Sequence, residues 1–204
     1  MRYRKLVKQE LDRLAQQKII TKVFNCEWAC PTVNVMKTDS TVRICGYYSF
    51  TVNKCMKLVK YPLPSVEDII TRVGDAKVFS KIDLESAYLQ LKLDDESKVL
   101  TTVNTTEGLY QFNYLPFRIS SSPGIFQSFM CLSGIDNIII YQDDILIMTS
   151  TKHQHDIILD KVLQCLTETS IKLKINKCSF YVDSVNYHGY IFDKDGVHPN
   201  TNEQ

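Results

Sequence analysis

The chain has no long hydrophobic run: its longest unbroken apolar stretch is about four residues, at Ile138-Ile-Ile-Tyr141. A helical membrane span needs roughly 20, so none is expected. The opening Met1-Arg-Tyr-Arg-Lys leads into no apolar core of the kind a signal peptide carries. Glycine and proline are scarce, 7 and 6 of 204 residues, which excludes a collagen-like or linker-like chain. Net charge is almost absent at +1. The seven cysteines lack pattern rather than number. They are odd in count and irregular in spacing, at Cys26, Cys30, Cys45, Cys55, Cys131, Cys165 and Cys178. That excludes a secreted disulfide framework and points to a reducing, intracellular compartment. Cys26 and Cys30 have no second Cys or His pair at matching spacing, so a zinc site is not expected.

What is present suits one globular domain, or one with a small lobe. A chain this long buries roughly 70 per cent of its unfolded surface and needs no staple. The small net charge hides an asymmetry. Residues 1–60 carry 12 Lys and Arg against 4 Asp and Glu, whereas residues 61–204 carry 12 against 19. A basic first part suits a polyanionic partner, and an acidic remainder suits metal-binding carboxylates. Chance segregation on a solvated surface accounts for the split equally well.

Residues 2–17 predict an amphipathic helix, with Val7, Leu11 and Leu14 on one face and Arg4, Lys5, Lys8 and Arg13 elsewhere. Residues 33–36 and 42–45 predict strands around Lys37-Thr-Asp-Ser. Pro62 and Pro64 mark an extended segment. Ser65-Val-Glu-Asp68 then opens a short helix as a capping box, with Val66, Ile69, Ile70 and Val73 inward. Residues 78–83 predict a strand. Residues 89–93 alternate Leu with Gln90 and Lys92, a period of two that predicts another, before a turn at Asp94-Asp-Glu-Ser. Residues 101–104 and 109–114 form a hairpin around Glu107-Gly108.

Ser122-Pro123 starts a helix to about Leu132. Residues 138–141 and 145–148 are apolar strands. Thr151-Lys-His-Gln154 caps a helix with Ile158, Val162, Cys165 and Thr169 on one face. His153 and His155, two apart at its start, cannot share a face and are expected in solvent. Residues 187–197 end in a hairpin with an Asp195-Gly196 turn. Strand and helix alternate without βαβ regularity, which indicates an α+β domain.

The chemistry concentrates at Asp143-Asp144, between two apolar strands. Adjacent carboxylates at 4 Å repel by about 4 kcal/mol at an effective dielectric near 20. Apolar surroundings then raise a pKa or demand a cation, and carboxylate oxygens suit Mg²⁺. A further strand ends in Asp83. Were the strands neighbours, three carboxylates would converge to hold two ions for phosphoryl transfer. Standing alone, the pair would be an ordinary solvated turn.

Three segments in order carry a resemblance: Phe79-Ser-Lys-Ile-Asp-Leu-Glu-Ser-Ala-Tyr88, Leu115-Pro-Phe-Arg-Ile-Ser-Ser-Ser-Pro-Gly-Ile-Phe-Gln127 and Tyr141-Gln-Asp-Asp-Ile-Leu-Ile147. Trp28-Ala-Cys-Pro31, Arg43-Ile-Cys45, Tyr61-Pro-Leu-Pro64, Lys177-Cys178 and Tyr187-His-Gly189 flank them. Together they resemble the reverse transcriptase motifs of gypsy-class LTR retrotransposon Pol polyproteins, over nearly the whole chain. The resemblance implies a right-hand polymerase fold of fingers and palm, the palm an antiparallel sheet with helices packed on one face. The implied fingers are residues 1–60 and 94–118, and the implied palm is residues 61–93 and 119–204, together a single domain without a thumb. The implied activity is RNA-directed DNA polymerisation from a primer 3′-end, with two Mg²⁺ ions or Mn²⁺ in their place. The implied partners are an RNA or DNA template with its primer and a dNTP, with no membrane, in a chain once fused to ribonuclease H and integrase segments.

By the same resemblance Asp83, Asp143 and Asp144 are the catalytic, metal-binding carboxylates. Tyr88 is the aromatic gate against a 2′-hydroxyl. Lys37 and Arg43 hold the triphosphate, Phe117 and Gln127 flank the base and template, and Tyr141, His188 and Gly189 grip the primer. The sequence also departs from the family pattern. Arg118 replaces the glycine of Leu-Pro-Phe-Gly, Tyr47 replaces an aspartate, and His188 stands where leucine is usual. Two residues of the 122–133 helix are missing, which should rotate its apolar face away from the core. These departures imply a truncated or decayed copy, a poor polymerase as it stands. The alternative is an inactive, nucleic-acid-binding remnant.

Overall fold

The computed structural model describes residues 2–37, 40–59, 66–130, 132, 134–141, 143–187 and 189–200. In chain order the first elements are α1 (Arg2–Gln16), β1 (Ile20–Val23), β2 (Cys30–Met36), β3 (Val42–Gly46), α2 (Val52–Cys55) and α3 (Val66–Val73). Next come β4 (Val78–Asp83), α4 (Asp95–Leu100), β5 (Val103–Thr105), β6 (Gly108–Phe112) and α5 (Ser122–Phe129). Then follow β7 (Ile138–Tyr141), β8 (Asp144–Thr149), α6 (Lys152–Glu168), β9 (Ser179–Val182), β10 (Ser184–Tyr187), β11 (Tyr190–Asp193) and β12 (Gly196–Pro199). They form two compact units, Met1–Lys60 with Tyr88–Phe126, and Tyr61–Ala87 with Gln127–Gln204. Among the described residues no helix is long and apolar enough to cross a membrane.

The first unit holds a five-stranded sheet ordered β1-β6-β5-β2-β3. The β2–β5 pair is parallel and the others are antiparallel. The stripe on α1 does what its spacing requires: Val7, Leu11 and Leu14 are buried in one cluster with Ile20, Val42, Ile44 and Phe112. Each such aliphatic burial stabilises by roughly 1.5–3 kcal/mol. Tyr48 is completely buried, and its hydroxyl donates to the Thr101 carbonyl at 3.1 Å.

The second unit holds an antiparallel sheet ordered β7-β8-β4-β9 and a smaller one ordered β10-β11-β12. α6 lies on one face of the larger sheet, where His155 is hydrogen-bonded to Ser80 and Thr149. On the other face, Phe79, Leu146 and Met148 cluster with Val185, Tyr187 and Phe192 of the small sheet. Ile69 and Val73 of α3, both expected to face inward, join that cluster. The fold is the expected α+β architecture.

Local differences have local causes. The Leu alternation at 89–93 is not a strand: Ala87–Gln90 is a 3₁₀ turn, and Lys92 makes one isolated bridge to Tyr114. The turn expected at Asp94 is a helix start, because Asp94 Oδ1 accepts from the Ser97 N–H at 2.7 Å and caps α4. β1 and β9 were not anticipated. Ile70 is exposed rather than inward. α5 ends at Phe129, yet Met130 and Leu132 beyond it are buried. Those two side chains are therefore not turned out of the core. The Ser65 cap and the Pro62–Pro64 segment lie outside the described residues.

Candidate active site

Strand register builds the acidic end of the second unit. β4 pairs with β8 so that Asp83 stands directly opposite Asp144. Tyr141 pairs with Asp144 across the β7–β8 hairpin, which leaves exposed Asp143 in the connection. The Leu84 N–H donates to the Asp143 carbonyl at 3.0 Å and ties that connection to the end of β4. Like charges directly opposite on neighbouring strands destabilise a sheet, so this register has a cost that cations offset. Lys177 Nζ lies 3.8 Å from Asp83 Oδ2, and Lys81 Nζ lies 3.2 Å from Asp144 Oδ2.

Burial raises the Asp83 pKa. Lys177 opposes that rise, and the charges of Asp144 and Asp143 add to it. The turn after Lys174 cradles the same residue. The Lys174 N–H donates to the Asp83 carbonyl at 2.9 Å, and the Asp83 N–H donates to Cys178 Sγ at 3.4 Å. Burial pushes the Cys178 thiol up.

Could these residues take a divalent cation? Their donors are all carboxylate oxygens, the set that hard ions prefer. Their mutual repulsion, felt at Asp83, is what a cation would relieve. Among the described residues no three acidic, Cys or His side chains already form a closed metal-holding group. The donor chemistry fits, with the lysines serving as resident counter-charges.

The first unit gathers a different set. The Arg43 guanidinium lies 4.7 Å from the Phe117 ring centroid. Phe117 meets Tyr88 edge-on at 5.4 Å, and Tyr88 meets Phe126 at 5.6 Å. Three residues predicted to face a nucleotide thus touch in one chain of contacts. Lys37 is separate, exposed at the tip of the β2–β3 hairpin, where its N–H donates to the Thr41 carbonyl.

Arg118 has φ +72°, a left-handed backbone that costs a non-glycine residue. A glycine in that place suits the conformation, beyond any need for close approach. Asn53 holds this loop at two points: its Nδ2 donates to the Arg118 carbonyl, and its Oδ1 accepts from the Ser120 N–H. The Arg118 and Arg43 charges lie near Cys45, whose thiol burial nevertheless raises. Tyr47 is half-buried edge-on against Phe50.

Gln127 is buried in the second unit. Its Nε2 reaches the Ile140 carbonyl at 3.4 Å, while its Oε1 has no partner among the described residues. Tyr141 is half-buried, and Gly189 (φ +80°) occupies the β10–β11 turn; His188 lies outside the described residues. A cleft of about 480 Å³, lined by Arg72, residues 134–138 and Met148, includes none of Asp83, Asp143 and Asp144.

Sequence reading passed over Lys81 and Lys177. Lys81 was open to detection, because it stands two residues before Asp83 and therefore on the same strand face. The expectation for His155 is corrected: it is fully buried, whereas His153 is exposed.

The family described as "Reverse transcriptase (RNA-dependent DNA polymerase)" matches residues 35–192. A Caenorhabditis elegans protein described as uncharacterized is 32% identical over 96% of this chain and 16% of its own length. The Retrovirus-related Pol polyprotein from transposon gypsy of Drosophila melanogaster is 32% identical over 68% of this chain and 14% of its own. The chain therefore spans a small part of the curated relatives it matches. Among solved structures, a foamy viral protease-reverse transcriptase in complex with double-stranded DNA has a TM-score of 0.88 at 24% identity, over 97% of this chain and 35% of that one. Its complex with an RNA/DNA hybrid gives 0.87 at 24% identity, over 99% and 27%. With the family matched over most of its length and relatives in retrotransposon Pol polyproteins, the chain belongs to the reverse transcriptase family.

Proposed function

We propose that this chain is the RNA-directed DNA polymerase module of a retrotransposon Pol polyprotein, extending a primer 3′-end with deoxynucleotides on an RNA or DNA template. The observation that carries the reading is the register pair Asp83–Asp144 with Asp143 in the adjoining connection. Phosphoryl transfer is mostly positioning and charge neutralisation, and a carboxylate cluster is the means to both. Residues 1–60 and 94–118 act as fingers, and residues 61–93 and 119–204 act as palm. The partners are a primer-template and a dNTP, and the parent chain carries ribonuclease H and integrase segments.

Asp83, Asp143 and Asp144 would hold Mg²⁺ or Mn²⁺, which when bound supplies charge neutralisation at the reacting phosphoryl oxygens. The chain's own side chains do the rest. Arg43 and Lys37 neutralise the triphosphate, since guanidinium and ammonium groups pair with phosphoryl oxygens. Tyr88, braced edge-on by Phe117 and Phe126, excludes a 2′-hydroxyl by volume. Gln127 and Phe117 flank the base and template. Tyr141, His188 and Gly189 hold the primer end.

A catalytically inactive, nucleic-acid-binding form is the second reading. Arg118 favours it, as a long cation in a backbone conformation suited to glycine. Primer extension on poly(rA)/oligo(dT) with Mg²⁺ separates the two. Under the first reading the chain extends, Asp143→Asn lowers the rate by about 100-fold or more, and primer-template binding survives because phosphate electrostatics dominate it. Binding without extension in the unaltered chain, together with extension by Arg118→Gly, would establish the second. Extension unaffected by Asp143→Asn would overturn the carboxylate assignment.

A further inference from the structure

The two lysines beside the carboxylates are not equivalent. Lys177 is mostly exposed, with 59% of its side chain accessible, and it stands 3.8 Å from Asp83. Asp83 itself is 18% accessible, but a cation so exposed and held at that distance exchanges easily. Lys81 is different. Its side chain is 24% accessible, it stands 3.2 Å from Asp144, and that carboxylate is only 17% accessible. Lys81 Nζ also lies 5.6 Å from the Tyr187 ring centroid, and the Tyr187 hydroxyl reaches the Asp144 carbonyl at 3.5 Å.

Strand geometry explains the contact. Lys81 faces Leu146 across β4 and β8, so Asp144 is its diagonal neighbour, within reach of a long side chain. The aromatic ring and the half-buried setting then strengthen the attraction. Asp144 thus has a built-in cation, Asp83 has a displaceable one, and Asp143 is exposed.

Resting on the proposed function and narrowing its donor set, we propose that Lys81 is a positioning residue: it keeps Asp144 as a lysine-paired carboxylate and leaves Asp83 and Asp143 as the pair that takes a divalent cation. The pairing also offsets the repulsion that strand register imposes between Asp83 and Asp144. Lys81 touches no substrate in this role and acts through Asp144 alone.

The test reads binding of Mn²⁺ alone to the full chain, without nucleic acid or nucleotide, by calorimetry and by loss of the free-ion EPR signal. Lys81→Met should bind Mn²⁺ about tenfold more tightly than the unaltered chain, because Asp144 loses its cation. Lys81→Arg, which keeps the charge, should bind like the unaltered chain. Asp144→Asn should stay within about twofold of it and should erase the effect of a second Lys81→Met change. Equal or weaker binding by a folded Lys81→Met chain would overturn the proposal. If that variant fails to fold, Asp144→Asn decides alone, since a loss matching that of Asp83→Asn would make Asp144 a donor and overturn it. Asp83→Asn separates this failure from a broader one. Should it bind Mn²⁺ unchanged, the carboxylates hold no cation and the proposed function falls too; should it weaken binding while Lys81→Met does nothing, only the role of Lys81 is lost.

Discussion

The two units hold their candidate residues by different means. In the second, Asp83 meets Asp144 because β4 and β8 pair in one register, and six consecutive backbone pairs enforce it. In the first, Arg43, Phe117 and Tyr88 meet only through side-chain contacts of 4.7 and 5.4 Å. Register is all or none, because a one-residue slip sends every side chain to the opposite face. A stack of rings is graded and tolerates partial loss. Tyr47 and Arg118 both fall in the graded unit.

Breaking the register should have the largest effect. Ile82→Ala, at a completely buried position on β4, should cost about 2–5 kcal/mol in urea unfolding. Breaking the stack should leave stability nearly intact and alter selectivity: in a background that extends primers, Tyr88→Ala should raise rNTP use relative to dNTP about 100-fold, a change of about 2.7 kcal/mol. An unchanged ratio in single-nucleotide incorporation would return Tyr88 to a packing role. Gly46→Ala tests how tightly the first unit is packed. An added Cβ there would overlap the buried Tyr48 ring, and overpacking of this kind costs about 1–3 kcal/mol. Arg118→Gly should do the opposite and raise the melting midpoint by the equivalent of about 1 kcal/mol, through relief of a left-handed backbone.

The smallest effect is on pH. Burial holds the His155 pKa below its ordinary value, against a weaker upward pull from Asp156. Unfolded, the imidazole takes up a proton near about pH 6.5. Folded, it does so only at lower pH. Its contribution is therefore fully present above about pH 6.5 and is lost as pH falls toward the folded value. Unfolding free energies between about pH 8 and 5 should decline less steeply for His155→Gln than for the unaltered chain.

Much of the carboxylate site was legible, because β7 and β8 are short apolar runs with Asp143 and Asp144 between or at the start of them, and β4 ends at Asp83. α1 was legible from three apolar positions. What escaped had no apolar signature. α4 buries none of its residues and rests on the Asp94 cap, and β1 has Thr21 and Lys22 at its centre. The Leu89–Leu93 alternation was too short to separate a strand from a 3₁₀ turn. His155 was misread by comparison with His153 alone. Its spacing of three and four residues from Ile158 and Leu159 puts it on the buried helix face. Two hydroxyls, Ser80 and Thr149, satisfy its ring nitrogens at 2.7 and 2.8 Å.

The two-sidedness of β4 bears on how such a chain tolerates insertions and deletions. Ser80 serves the helix side through His155, and Lys81 serves the opposite side through Asp144. Adding or removing one codon between Phe79 and Asp83 would exchange the two sets, placing a lysine beside the imidazole and a serine beside the carboxylates. In-frame length changes should therefore be purged from β4, so that a strand of six residues behaves as a reading frame within the folded chain.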